Sequence, residues 1–267
     1  MTEPDWQSLI ARERRDATML RRATAFQHRY GSHQGPIRFG CGNDGAWVVK
    51  GHQFPKEAAT EMIAYSLGAA IGAPVPPFGI VEVPADLIRR TPALRNIRYP
   101  PGQWFGSRFV AGVTNLVDDV KEMCYLHTDV RQNRHRFAML ALFYGWAGTW
   151  TDVQFIYDTN SPCLVNSVDH GHFFPKGPEW DASSLDGCTE VAEMLPSMVQ
   201  AVNLAPAELR SAAQKFRRLD RTAVITAAVA RPLDSWGIDV KERVAVARYL
   251  HRRGEQLADD LGRKYAT

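Results

Sequence analysis

The spacing of apolar and polar residues changes character along the chain, and each change predicts an element. Over the first twenty-odd residues Trp6, Leu9, Ile10, Met19 and Leu20 recur among charges, which predicts a helix. "TAFQHRY" (24–30) alternates in the manner of a strand. In "PIRFGCGNDGAWVVK" (36–50) two apolar runs flank Asn43, Asp44 and Gly45, which tolerate positive φ, so a β-hairpin is predicted. Pro55 suits a first helical turn, and residues 56–72 are rich in Ala, Glu, Met and Leu, with Gly72 and Pro74 as the stop. Residues 75–84 and 103–110 predict further strands.

Beyond residue 110 the pattern becomes helical. Residues 117–148 predict a helix whose last part is apolar all round, hence buried. Short strand patterns follow at 154–157 and 164–168. From about residue 189 the chain reads as helices punctuated by Pro196, Pro206, Pro232 and Gly237, with a final helix over roughly 239–264. Strands with one helix, then helices, is the order of an α+β protein and not of repeated βαβ units. A joint is expected after the Pro/Gly-rich "YPPGQWFG" (99–106), dividing the chain at 1–110 and 111–267.

Composition narrows the class only a little. The 267 residues suffice for one large domain or two small lobes, with 45% hydrophobic and 23% charged residues. A net charge of +3 implies no strong pull on nucleic acid, and the cluster Arg12, Arg14, Arg15, Arg21 and Arg22 reads as a solvated helix face. No apolar stretch reaches the roughly 20 residues that span a bilayer, and the N-terminus carries early acids, unlike a signal peptide. Cys41, Cys124, Cys163 and Cys188 are far apart and form no C-x-x-C pair, which argues for a reducing, cytoplasmic setting.

Candidate chemistry gathers at few places. "LVNSVDHGHFF" (164–174) sets Asp169, His170 and His172 between apolar runs, where an unpaired charge would be costly. Lys50 ends a predicted strand, and Glu57 and Glu61 follow at i, i+4 on one helix face. A strand lysine facing a helical glutamate can hold nucleotide phosphates, although a surface lysine with two solvated glutamates stays open. The loop "RYGSHQGP" (29–36) offers Gly31, Ser32 and Gly35 for close backbone approach to an anion, or is an ordinary hairpin connection. Asp152 and Gln154 sit where the buried helix gives way to a strand, and a turn before Asp169 brings the three together. Asp169 and the Gln154 amide suit Mg²⁺, leaving Asp152 to orient or deprotonate a hydroxyl. Two rivals remain. Asp169, His170 and His172, with His127 or His135, could hold zinc or iron in a hydrolase. Alternatively the histidines are hydrogen-bonded core residues bracing Asp169.

Four stretches agree in order. "WVVK", "TEMIAYSLGAAIGAPVPP", "FGSRFV" and "VDHGHFF" together resemble the HipA-like kinase family, over about residues 23 to 181. The resemblance implies a two-lobed protein-kinase-like fold with a small β-rich N-lobe and a helical C-lobe in which a short hairpin carries the site. It pairs Lys50 with Glu61 rather than Glu57, ahead of the turn Gly72-Ala73-Pro74-Val75-Pro76. It implies a phosphate loop at Gly31, Ser32, His33 and Gln34, adenine near Phe109 and Val110, and Mg²⁺ on Asp169, with Gly171 permitting the turn.

The implied activity is transfer of the ATP γ-phosphate to a hydroxyl acceptor on a protein, as in serine/threonine kinases, with ATP and Mg²⁺ as cofactors and no membrane or nucleic-acid partner. Asp152 and Lys50 are the implied catalytic residues, Gln154 and Asp169 the metal ligands. One departure stands out. The family pattern "G-N-x-D-R-H-x-x-N" is met here by "G-T-W-T-D-V-Q-F-I-Y-D", which lacks the arginine, histidine and asparagine. A nucleotide-binding pseudokinase is therefore one alternative; a small-molecule kinase is another, since fold likeness does not fix the acceptor, with the metal hydrolase behind them.

Overall fold

The computed structural model describes residues 1–13, 20–31, 35–51, 54–114, 127–149, 153–160 and 163–265. It opens with α1 (Glu3–Glu13), followed by strands β1 (Leu20–Arg22), β2 (Ala25–Arg29), β3 (Ile37–Gly40) and β4 (Ala46–Lys50). Helix α2 (Pro55–Ile71) leads to β5 (Phe78–Val83), the short helices α3 (Ala85–Arg90) and α4 (Pro92–Asn96), then β6 (Gly102–Arg108) and β7 (Gly112–Thr114). After α5 (Arg131–Ala147) come β8 (Gln154–Asp158) and β9 (Leu164–Val168). Helices α6 (Ala182–Asp186), α7 (Pro196–Ala201), α8 (Pro206–Arg217), α9 (Arg221–Ala230) and α10 (Val240–Tyr265) complete the chain. The N-terminal region is built on a β-sheet and the C-terminal region is mainly helical. Among the described residues no helix is long and apolar enough to cross a membrane.

The first sheet runs β1-β5-β6-β4-β3-β2, antiparallel except where β1 lies parallel to β5. Its strands alternate. On β4, Trp47 and Val49 are buried while Ala46, Val48 and Lys50 face the other way, half-buried. Trp47, Val49, Ile37, Phe39, Val81 and Val83 pack under Leu87 of α3 and Leu94 of α4, making a core of their own. The two short helices thus cover the back of the sheet. On the front, Ile80 and Phe105 join the main core with α2 and α5.

Leu20–Arg22 is a strand, not the end of the predicted N-terminal helix. It gains its hydrogen bonds by edge pairing with Ile80, Val81 and Glu82, a long-range effect that overrides local helical spacing. Helix α1 lies against α9 and α10, with Trp6 and Ile10 buried. The site hairpin is also larger than expected. Strand β7 adds to β8 and β9, so the C-terminal region carries a three-stranded sheet, β7-β8-β9.

Buried arginines on α10 tie the C-terminal helices together. Arg253 donates to the carbonyls of Gly145 and Trp146 at the end of α5, where the helix dipole is negative and the last carbonyls lack helical donors. Arg243 does the same for Val229 near the end of α9.

Candidate active site

Helix α2 is the element on which the site depends. Pro55 stands in its first turn, and Gly72 caps its end at φ 74°, the left-handed conformation that glycine adopts without strain. The N–H of Ala73 returns to the carbonyl of Gly68 at 2.8 Å, closing the helix end. The chain then turns through Pro74, whose carbonyl accepts the N–H of Ser167 on β9 at 2.7 Å. The turn "GAPVP" therefore docks the end of α2 onto the strand that leads to Asp169.

Three elements converge. Lys50 ends β4, Glu61 lies fully buried on α2, and Asp169 follows β9. Lys50 Nζ donates to Glu61 Oε1 at 2.8 Å and also to Asp169 Oδ1. Glu61 Oε2 accepts the backbone N–H of His170 at 3.1 Å, so both its oxygens are engaged. Asp169 is left-handed at φ 64°, a conformation aspartate tolerates better than most residues, and this kink follows the strand directly. The left-handed residue is thus Asp169 itself and not Gly171. Gly171 is required for space: a Cβ there would stand 2.2 Å from Glu57 Cγ.

Electrostatics follow from burial and crowding. Burial alone would lower the Lys50 ammonium, but Asp169, Glu61 and Glu57 outweigh it and hold the amine above the ordinary lysine value. Burial pushes Glu61 up to about 7 against the pull of Lys50. Burial likewise raises Glu57. For Asp169 burial acts upward too, yet Lys50 wins and leaves it below the usual carboxylate range. Burial, then the Lys50 charge, pulls His170 down to about 3, so its ring is neutral.

His170 is 1% exposed and wedged between Tyr65, Phe143 and Phe173, with ring centroids 4.7, 5.3 and 4.8 Å away. Its Nε2 lies 2.6 Å from Ser167 Oγ, which in turn bonds the Tyr144 hydroxyl of α5. Its Nδ1 is buried without a hydrogen-bond partner, 3.8 Å from Glu61 Oε2. One alternative read from the sequence, that both histidines are core residues bracing Asp169, holds for His170 alone. His172 is instead exposed, as is His135. Among the described residues the group able to hold a metal is Glu57, Glu61 and Asp169, whose ligand oxygens lie within 4.8 Å of one another. No histidine joins it, so the described residues give the zinc or iron alternative no cluster. Hard oxygen donors beside a glycine that keeps the space clear are instead a set suited to Mg²⁺.

The remaining sequence candidates are placed as follows. Gln154 begins β8 directly opposite Val168, one residue before Asp169. Phe109 donates its N–H to the Ala46 carbonyl at 2.9 Å and its ring lies under the Arg38 guanidinium at 4.4 Å; Val110 is half-buried next to it. Gly31 follows β2 at φ 61°. The register Ile37 with Val49 sets Pro36 at the Lys50 end of β4, while Phe109 marks the Ala46 end, about 13 Å of strand away. Ser32, His33, Gln34 and Asp152 lie outside the described residues. The sequence did not point to Ser167, Tyr144 or Arg38. Nor did it keep Glu57 at the site, although the i, i+4 spacing was the available signal.

Residues 30–137 match the family model described as HipA-like kinase. Among solved structures the chain is similar to the Helicobacter pylori proinflammatory kinase CtkA, with a TM-score of 0.58 and 10% identity over 94% of this chain and 99% of that one. It is also similar to the Golgi casein kinase, at TM-score 0.50 and 10% identity over 99% of this chain and 79% of that one. At such identities the likeness is one of fold. No curated protein sequence matches the chain.

Proposed function

We propose that this chain, a HipA-like kinase by residues 30–137, binds ATP with Mg²⁺ and moves the γ-phosphoryl group to a hydroxyl on a protein acceptor. One observation carries the reading: a strand lysine is held between a buried helical glutamate and an aspartate that ends a second strand. Nucleotide would lie between the part of the chain up to about residue 110 and the remainder, along the front of β4.

Each residue has a task in this reading. Phe109 and Val110 receive the adenine, and the backbone around Gly31, Ser32, His33 and Gln34 faces the phosphates. Lys50 redirects hydrogens now given to Asp169 onto phosphate oxygen, while Glu61, fixed from beneath by the His170 N–H, keeps the amine in place. Asp169 and Gln154 would hold the cation, and Mg²⁺, when bound, would supply positive charge against that of the phosphates. Asp152 orients the acceptor hydroxyl, whose oxygen bonds the γ-phosphorus as the bond to the β-phosphate oxygen breaks. ADP leaves, and the hydroxyl proton passes to Asp152 and then to solvent. Catalysis is positioning and charge neutralisation.

A second reading has its own support. Strand β8 starts at Gln154, two residues after Asp152, where the family pattern needs an arginine, a histidine and a later asparagine. This favours nucleotide binding without turnover. Incubation with γ-labelled ATP and Mg²⁺ separates the readings. Label on lysate proteins or on the chain itself supports protein phosphorylation, and label in small molecules moves the acceptor class. ATP-induced thermal stabilisation without label supports the pseudokinase, and neither effect sinks both.

A further inference from the structure

Three carboxyl groups meet at this site and they are not equivalent. Glu61 is fully buried, with one oxygen taken by Lys50 and the other by the His170 N–H. The buried His170 Nδ1, without a hydrogen-bond partner, lies 3.8 Å from that second oxygen. Glu61 is therefore turned inward by donors on the protein side. Asp169 gives Oδ1 to Lys50 and keeps 30% of its side chain exposed. Glu57 is half-buried in the first turn of α2, and no hydrogen bond or ion pair from the described residues engages its carboxylate.

The turn after Asp169 is pressed against that carboxylate. A Cβ at position 171 would meet Glu57 Cγ at 2.2 Å and Oε1 at 2.8 Å, so only glycine lets Glu57 lie there. Its oxygen is within 4.8 Å of the ligand oxygens of Asp169 and Glu61. The three carboxyls share one ammonium, Lys50, and a divalent cation would supply the missing positive charge through oxygen donors of the kind it prefers. The chain also lacks the asparagine that the HipA-like catalytic loop would bring to the metal.

We propose that Glu57 is a second carboxylate ligand of the divalent cation, beside Asp169 and in addition to the Gln154 amide. This rests on the reading of the site as a metal–nucleotide centre. The ligand set would then draw on α2 as well as on the strands, joining the metal to the helix that also carries the lysine's partner.

The test is Mn²⁺ binding to the full chain, followed by the loss of the free-ion electron paramagnetic signal, with and without ADP. Thermal melting and circular dichroism monitor folding. Wild type should bind, Asp169→Asn should abolish binding, and Glu57→Gln should weaken it at least tenfold. In EDTA, with no cation to screen it, the Glu57 carboxylate repels the nucleotide phosphates, so Glu57→Gln should bind ADP no more weakly than wild type. If Glu57→Gln does not fold, Glu57→Asp keeps the charge but shortens its reach and should still weaken Mn²⁺ several-fold. Equal Mn²⁺ affinity in the folded variant and wild type, or no Mn²⁺ uptake by wild type, overturns the assignment. Glu57-dependent Mn²⁺ binding without any affinity for nucleotide would leave the ligand assignment standing and remove the phosphotransfer reading instead.

Discussion

The backbone N–H of Ser167 donates to the carbonyl of Pro74 at 2.7 Å, which fastens the turn after α2 to the strand that ends in Asp169. The bond depends on the helix stopping where it does, at left-handed Gly72. Gly72→Ala places a side chain at φ 74° and should cost about 1–2 kcal/mol in urea unfolding. The new methyl would also displace the Lys215 ammonium, a flexible end that can swing away. If the docking matters to the site, nucleotide affinity falls along with stability. A variant of unchanged urea midpoint argues that the turn is not fixed by its glycine.

Lys50 and Glu61 form a buried pair, 2.8 Å apart, and should behave as one. Lys50→Met leaves two acids without their cation and should destabilise the chain by about 3 kcal/mol, besides weakening ATP binding at least tenfold. Lys50→Met combined with Glu61→Leu should recover part of that stability, since the orphaned buried acid is gone. A double-mutant cycle in chemical denaturation measures the coupling, and strict additivity would contradict the pairing.

His170 makes the nucleotide-free protein sensitive to acid. Its folded value, about 3, lies below the ordinary histidine value of 6.5, because burial and Lys50 oppose its charge. The unfolded chain binds the proton first, so stability is full above pH 6.5 and falls as the pH drops toward 3. Glu61 is pushed up to about 7 and works the opposite way between its ordinary 4.5 and that value. Lys50, Asp169 and Tyr65 also face this group. Comparing wild type with His170→Gln isolates the histidine: wild type should lose on the order of 2 kcal/mol more between pH 7 and pH 5. Parallel pH profiles for the two proteins would contradict a buried neutral imidazole.

Gly171→Ala tests crowding at the turn. The added methyl must push Glu57 aside, because it would stand 2.2 Å from Cγ. Mn²⁺ affinity should drop as it does for Glu57→Gln, with a modest loss of melting temperature, as the half-buried Glu57 side chain has to move. Unaltered Mn²⁺ affinity would mean that Glu57 can leave its position without consequence for the metal.

Asp152 and Asp169 have separable roles in the proposed reaction. Either alanine variant should reduce phosphotransfer by orders of magnitude, but only Asp169→Ala should weaken Mn²⁺ binding strongly. Radiolabel transfer and metal titration on the same preparations decide this. Full transfer by both variants would dismiss the assigned roles.

The alternating runs of β3 and β4, the uniformly apolar end of α5 and the Pro55-to-Gly72 limits of α2 are local patterns, and the sequence by itself determined those elements. The ordered signatures at Lys50, Glu61 and Asp169 also made the kinase resemblance legible, since each is a short motif read in place. Tertiary structure alone decided the rest. Leu20–Arg22 became a strand because β5 offered a free edge. Strand β7 joined β8 for the same reason. His170 went into the core and His172 to solvent, although two residues apart, because the kink at Asp169 reorients the chain there. Glu57 came against Gly171 across more than a hundred residues, a closeness no spacing rule encodes. Periodicity reports which way a side chain faces within its own element; what it meets there depends on how the elements pack.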